Sequence, residues 1–129
     1  MKLEQVYGTW RLVRFDLEDL EGQLRPWGTN THGLLIYSPS GYMSVSINKD
    51  IEPSEDGEYS DTLDSILFYS GTYAADGDII KHQVTEASNP NRIGKEMIRY
   101  AKRDGELLEL ATPKESFGRA ILVWKMVAS

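Results

Sequence analysis

The sequence predicts an all-β domain in which eight short antiparallel strands close into an up-and-down barrel. Turn signals recur along the chain, and each combines glycine, proline or asparagine with short polar side chains that can bond the backbone. The runs between the turns are short and rich in Val, Ile, Tyr, Leu, Phe and Trp, as β-strands are. Many short strands joined by tight turns are typical of sandwiches and barrels. The turns are Glu21-Gly22, Pro39-Ser40-Gly41, Ala75-Asp76-Gly77-Asp78, Asn89-Pro90-Asn91 and Arg103-Asp104-Gly105.

The chain length fits a single domain. Its 129 residues are an ordinary domain size and suffice for one hydrophobic core. No repeat of fixed period and no linker-like stretch divides the chain, so we expect one barrel domain over residues 1–129. The predicted strands cover 8–16, 33–38, 41–48, 70–75, 78–87, 94–103, 106–112 and 119–127.

One segment in the middle of the chain departs from this strand pattern. Ser60 and Asp61 can cap a helix, and the apolar residues that follow them have helical spacing. We therefore expect a short helix near 61–69, either as a lid across the barrel mouth or as a cover of the core. The stretch 50–64 is strongly acidic, but its carboxylates do not follow the EF-hand spacing. A solvated acidic loop is therefore favoured over a calcium site.

The composition excludes several classes of site and partner. The chain has no cysteine, which excludes disulfides and thiolate sites, and only two histidines, His32 and His82, too few for a three-histidine metal site. The net charge of −6 and the pI of about 4.9 argue against nucleic-acid binding. No apolar run reaches the length of a membrane span, and the first residues lack a signal-peptide core. We expect a cytoplasmic protein without cofactor or metal, and a homodimer stays an open alternative.

Strand alternation indicates which side chains enter the barrel. Residues i and i+2 of a strand share a face, so His82 is expected to point inward and Arg14 to share the inner face of its strand with Trp10. A barrel of eight strands is just wide enough to be filled by side chains or to hold one small ligand. A buried cation needs a partner or an anionic ligand, so Arg14, His82 and Arg99 are candidate ligand contacts. The simpler alternatives are that His82 is a satisfied core histidine, and that Arg99 extends to the barrel rim or pairs with Glu86.

The chain carries no strong catalytic or nucleotide-binding motif. GxGxxG, GxxxxGK, HExxH, GxSxG and CxxC are all absent. His82 is then the acid/base candidate if there is catalysis, because the ordinary pKa of histidine lies near neutrality. Arg99 would stabilise developing negative charge. Such chemistry suits an isomerisation by proton transfer or a cyclisation better than it suits hydrolysis.

The two ends of the chain resemble those of lipocalins. Gly8-Thr9-Trp10 opens the first predicted strand, and Leu122-Val123-Trp124-Lys125 lies in the last. In the lipocalin arrangement a tryptophan of the first strand closes the barrel base under a basic residue of the last strand. The resemblance therefore implies a cation–π contact between Lys125 and Trp10.

A longer pattern resembles the bacterial and fungal lipocalin-like domain family over residues 6–127. The pattern is Gly33-Leu34-Leu35-Ile36-Tyr37-Ser38-Pro39-Ser40-Gly41-Tyr42-Met43-Ser44, then Tyr69-Ser70-Gly71-Thr72-Tyr73, His82, Pro90-Asn91, Gly94 and Arg99. The resemblance implies a β-barrel with an internal cavity. It also implies that His82 and Arg99 are functional residues, since both match the pattern of the family. Members often have a second histidine where this chain has Gln83 and an aromatic residue where it has Arg92, which disfavours a two-histidine mechanism.

The function favoured by these observations is binding of a small, largely apolar molecule in the barrel, one that can bear a carboxylate or a carbonyl. A cofactor-free isomerase or cyclase of a natural-product pathway, with His82 as acid/base, is the first alternative. A filled barrel that acts as a protein-interaction module is the second. The expected ligand-binding residues are Arg14, Tyr42, Ser44, Tyr73, His82, Arg99 and Trp124, with Trp10 as a further wall residue.

Overall fold

The computed structural model describes residue 2, residues 5–50 and residues 66–128. It contains nine strands and one short 3-10 helix within that part of the chain. The strands are β1 (Gly8–Glu18), β2 (Leu24–Pro26), β3 (His32–Tyr37), β4 (Tyr42–Asn48), β5 (Ile66–Asp76), β6 (Ile79–Ala87), β7 (Glu96–Asp104), β8 (Leu107–Ala111) and β9 (Arg119–Ala128), and the 3-10 helix covers Pro90–Arg92. No helix in these ranges is long and apolar enough to cross a membrane.

Eight of the strands form a closed antiparallel barrel. The order β1-β3-β4-β5-β6-β7-β8-β9 is completed by pairing of β9 with β1, so the sheet has no free edge between them. This confirms the predicted fold class, and all eight predicted strands overlap an observed one. The ninth strand, β2, pairs only with the far end of β1, with Leu17 opposite Arg25. Its three residues are all exposed, so no apolar alternation marked it in the sequence.

The helix expected near 61–69 is wrong for its second half. Residues 66–69 lie in β5, where Tyr69 pairs with Val45 of β4. Leu67 and Tyr69 face the core while Ile66 and Phe68 are more exposed, which is the period-2 alternation of a strand. Residues 61–65 lie outside the described part of the chain, as does the acidic stretch beyond Asp50.

Trp10 closes one end of the barrel. Its side chain is fully buried, and its Nε1–H donates to the carbonyl oxygen of Val6 at 3.0 Å. The guanidinium that lies over its ring belongs to Arg103, with Cζ 5.4 Å from the ring centroid. The expected contact with Lys125 is therefore wrong. Trp124 is buried in the barrel, and its neighbour Lys125 consequently points outward and is exposed.

A β-bulge in β1 reverses the face of the residues that follow it. The pairing with β9 shifts between Leu12 and Arg14, so Val13 is an extra residue and is 58% exposed. Phe15 is consequently buried on the same side as Trp10, although the two differ in parity. The bulge carries Arg14 to the outer face.

Candidate functional site

A cavity of about 360 Å³ lies inside the barrel, on the far side of the core from Trp10. Apolar side chains from several strands form its walls, and polar side chains come from β5, β6, β7 and the connections β6–β7 and β8–β9. The lining residues are Phe15, Leu35, Val45, Ile47, Leu67, Tyr69, His82, Arg92, Glu96, Met97, Ile98, Arg99, Leu110, Thr112, Pro113, Glu115, Phe117, Ala120, Leu122 and Trp124.

The apolar wall follows from strand alternation. In β4 the buried residues are every second one, and Val45 and Ile47 reach the cavity from there. The neighbouring β3 contributes Leu35 by the same period, while β8 and β9 contribute Leu110 and Leu122 from across the barrel. An apolar wall of this kind binds hydrocarbon, and a few polar groups fix the orientation of the ligand.

His82 lies between two tyrosine hydroxyls. It is 2% exposed, its Nε2 is 2.5 Å from the hydroxyl oxygen of Tyr37, and its Nδ1 is 2.6 Å from that of Tyr69. His82 and Tyr69 line the cavity, whereas Tyr37 lies behind them towards the closed end and packs its ring 4.6 Å from that of Tyr73. The three side chains form a hydrogen-bonded row that ends in the cavity.

Burial and charge keep this row uncharged. Burial, with a smaller contribution from the positive charge of Arg99, lowers the pKa of His82 to about 3. Burial raises the pKa of Tyr37 and of Tyr69 above their ordinary value, while the charges of Arg99 and Arg92 partly oppose the rise at Tyr69. At neutral pH the cavity therefore faces a neutral imidazole and a protonated phenol.

Arg99 supplies a positive charge beside these neutral groups. It is half-buried on β7 and lines the cavity, and its Nη1 donates to the carbonyl oxygen of Ile98 at 2.8 Å. Within residues 5–50 and 66–128 no carboxylate forms an ion pair with Arg99, and the expected partner Glu86 instead accepts from the hydroxyl of Ser70 at 2.6 Å. Arg92 of the 3-10 helix lines the same cavity. The guanidinium of Arg99 retains donors for a further acceptor.

Three of the seven expected ligand-binding residues line the cavity: His82, Arg99 and Trp124. Trp124 presents its ring to the cavity, but its Nε1 is buried and finds no hydrogen-bond acceptor in the part of the chain that is described. It therefore contributes apolar surface rather than a polar contact.

The other four expected residues lie away from the cavity. Arg14, turned outward by the bulge, has a side chain 60% exposed and pairs with Asp16 at 3.0 Å. Tyr42 and Ser44 occupy the outer face of β4, since the alternate residues of that strand are the buried ones. Tyr73 is buried at the closed end, where its hydroxyl donates to the carbonyl oxygen of Ser38 at 2.7 Å. Trp10, the further wall residue expected, belongs to that closed end too.

The sequence reasoning missed Tyr37 and Tyr69. Tyr37 shares the parity of Leu35, a buried residue of β3, so alternation was a usable signal. The expected helix includes Tyr69, so the alternation of buried and exposed residues that places Tyr69 on the inner face of a strand was not considered. Arg92 carried no signal, because its contribution depends on how the short helix of Pro90–Arg92 folds over the cavity.

The chain belongs to the lipocalin-like domain family, since the family model matches residues 7–127. This confirms the resemblance drawn from the motifs. No curated protein matches the chain. Among solved structures, the fatty-acid-binding protein 1 of Echinococcus granulosus is similar, with 12% identity, a TM-score of 0.48, and coverage of 97% of this chain and 99% of that one. At 12% identity the likeness says nothing of the ligand of this chain.

Proposed function

We propose that the barrel binds one small, largely apolar molecule in its cavity, and that a carboxylate or carbonyl of this molecule contacts Tyr69 and Arg99. The observation that carries the proposal is the combination of a mostly apolar cavity with a half-buried guanidinium that has no ion-pair partner in the described ranges. Apolar walls with a few convergent polar groups are the usual composition of a small-molecule site.

The size of the cavity restricts the ligand. Ligand cavities span roughly 300–1,000 Å³, and about 360 Å³ lies near the lower limit. The occupant is therefore a compact molecule or a medium-length chain rather than a large lipid.

The polar side chains restrict the ligand further. Arg99 donates several hydrogen bonds from a charged group, and such bonds are about twice as strong as neutral ones. A carboxylate satisfies this guanidinium best, and a carbonyl satisfies it partly. Burying either group without donors would oppose binding.

Native mass spectrometry of gently purified protein, with analysis of the denatured extract, tests whether a molecule co-purifies. Isothermal titration calorimetry with decanoate tests the site directly. We expect saturable binding at one molecule per barrel. Ala120→Leu places extra methyl groups in the cavity wall and should weaken decanoate binding by about tenfold or more. Ala74→Leu makes the same change on the exposed face of β5 and should leave binding unchanged. Equal affinities for the two variants would contradict the location of the site.

A cofactor-free isomerase or cyclase is the second candidate. The row from Tyr37 through His82 to Tyr69 reaches the cavity and could relay a proton. However, a base is most effective when its pKa lies near the working pH, and the pKa of His82 is lowered to about 3. Binding is therefore better supported than catalysis by His82. If a reaction exists, its rate should lack the limb between pH 5 and 8 that a free histidine gives.

The filled-barrel interaction module is the least supported candidate. It requires an interior with room for no more than one or two water molecules, each of which occupies ~30 Å³ in the liquid. The cavity of about 360 Å³ exceeds that several-fold. A cytoplasmic location, the absence of nucleic-acid partners and a homodimer stay predictions.

A further inference from the structure

The hydrogen-bonded row around His82 has one proton more than it has hydrogen bonds between its members. The hydroxyls of Tyr37 and Tyr69 and the single N–H of a neutral imidazole supply three protons. Only two hydrogen bonds join these groups, one between Nε2 and the hydroxyl of Tyr37 at 2.5 Å and one between Nδ1 and the hydroxyl of Tyr69 at 2.6 Å. Whichever ring nitrogen carries the proton, one tyrosine hydroxyl must donate elsewhere.

The surroundings of the two tyrosines differ. If Nε2 carried the proton, it would donate to Tyr37, and the hydroxyl proton of Tyr37 would need another acceptor. Tyr37 is 1% exposed, does not line the cavity, and has no second hydrogen-bond partner among the residues described. An unsatisfied buried donor costs free energy. If Nδ1 carries the proton, the unused hydroxyl proton belongs to Tyr69, which faces the cavity.

We infer that Tyr37 is a positioning residue that holds His82 in the Nδ1–H tautomer, so that the hydroxyl of Tyr69 donates to a hydrogen-bond acceptor of the ligand. Tyr37 donates to Nε2, Nδ1–H donates to the oxygen of Tyr69, and the hydroxyl proton of Tyr69 points to the occupant of the cavity. The ligand part of this inference rests on the proposed function; the tautomer does not.

The consequence is a specificity for acceptors deep in the cavity. Tyr69 and Arg99 both present donors, and the positive charge of Arg99 disfavours an ammonium group beside them. Glu96 and Glu115 also line the cavity, but both are exposed. The buried polar group of the ligand is therefore an acceptor such as a carboxylate or a ketone oxygen.

The tautomer can be measured without any ligand. Long-range ¹H–¹⁵N correlation spectra distinguish protonated from bare ring nitrogens, and His32→Gln assigns the remaining signals to His82. We expect protonated Nδ1 and bare Nε2 in the parent protein. In Tyr37→Phe the population with protonated Nε2 should rise, because Tyr69 is then free to donate to Nδ1. Tyr73→Phe removes a hydroxyl at the same end of the barrel that does not touch His82, and should leave the spectrum unchanged.

Binding of 2-undecanone, an uncharged acceptor, tests the consequence. We expect Tyr69→Phe to weaken the binding of 2-undecanone about five- to tenfold. Tyr37→Phe should weaken this binding several-fold although Tyr37 does not contact the ligand. Tyr73→Phe should leave the binding unchanged. A protonated Nε2 in the parent protein would overturn the inference even where the probe binds. A protein that binds neither 2-undecanone nor decanoate, yet shows the Nδ1–H tautomer, would contradict the proposed function and leave the tautomer assignment standing.

Discussion

Arg103 lies over the ring of Trp10, with its guanidinium carbon 5.4 Å from the ring centroid, at the closed end of the barrel. The same guanidinium donates to the carbonyl oxygen of Gln5. One side chain of β7 thus ties the segment before β1 to the tryptophan that closes the barrel. The stability of this end should therefore depend on Arg103 rather than on Lys125.

Removing Arg103 should destabilise the barrel modestly. An exposed cation–π contact contributes ~0.5–1 kcal/mol, and a hydrogen bond contributes about as much. We expect Arg103→Ala to lower the free energy of unfolding by about 1 kcal/mol in urea titrations followed by tryptophan fluorescence. Lys125→Ala removes an exposed cation from the outer face and should change the value by less than about 0.5 kcal/mol. A larger loss of unfolding free energy in Lys125→Ala than in Arg103→Ala would mean that Lys125 is the cation that stabilises the closed end.

Removing the Trp10 side chain should cost far more. Its ring is fully buried, and its Nε1–H donates a hydrogen bond to the carbonyl oxygen of Val6. Large-to-small changes at buried aromatic positions cost ~3–5 kcal/mol. Trp10→Ala should therefore lose a large part of the unfolding free energy in the same titration. Trp27→Ala serves as the comparison: Trp27 stacks on Phe15 at 4.5 Å but is only half-buried, so its loss should cost less.

Gly71 should tolerate no side chain. A Cβ at this position would lie 1.8 Å from the carbonyl oxygen of Gln83 on the neighbouring strand, next to a register shift between β5 and β6. The backbone would have to move, so Gly71→Ala should cost at least ~2 kcal/mol. Gly41 has open space around its Cβ position and a φ of +93°, so Gly41→Ala carries only backbone strain of roughly 1–2 kcal/mol. Similar melting temperatures for the two variants would contradict the close approach of β5 and β6.

His82 should make the barrel sensitive to mild acid. In the folded protein its pKa falls from the ordinary 6.5 of histidine to about 3, because the side chain is buried and lies near the positive charge of Arg99. The groups that contact its two ring nitrogens are the hydroxyls of Tyr37 and Tyr69. As the pH falls below 6.5, His82 becomes protonated in the unfolded chain but stays neutral in the folded protein. Stability should therefore be fully present above 6.5 and decline towards pH 3, by up to about 1.4 kcal/mol for each pH unit.

The comparison with His82→Gln isolates this contribution from that of the many carboxylates. We expect the difference in unfolding free energy between the parent protein and the variant to shrink as the pH is lowered from 7 to 4. A difference that stays constant over this range would show that His82 titrates near its ordinary pKa.

The sequence was sufficient for the barrel and only partly sufficient for the site. Alternation and turn chemistry are local, so they predicted the eight barrel strands and the inward direction of His82. The outward direction of Arg14 depends on one extra residue, Val13, and that bulge exists only in the pairing with β9. Local patterns do not show such a register shift.

The contacts around His82 depend on more distant relationships. Tyr37 is 45 residues away in the chain and Tyr69 is 13 residues away. Their meeting on the two ring nitrogens follows from the order of β3, β5 and β6 around the barrel. Strand order was an assumption of the sequence analysis, so these partners could not be assigned.

Arg99 should determine the affinity for a carboxylate. Arg99→Met keeps the apolar stem and removes the charge, so a bound carboxylate would lose its strongest donor. Hydrogen bonds to charged groups contribute ~1.5–3 kcal/mol, and we therefore expect decanoate binding to weaken by about tenfold to a hundredfold in calorimetry. Binding of 2-undecanone should weaken less, because its oxygen carries no charge. Arg14→Met is the matched control, since Arg14 lies on the outer face and pairs with Asp16. Equal losses of decanoate affinity in the two variants would mean that overall charge, and not the guanidinium in the cavity, attracts the carboxylate.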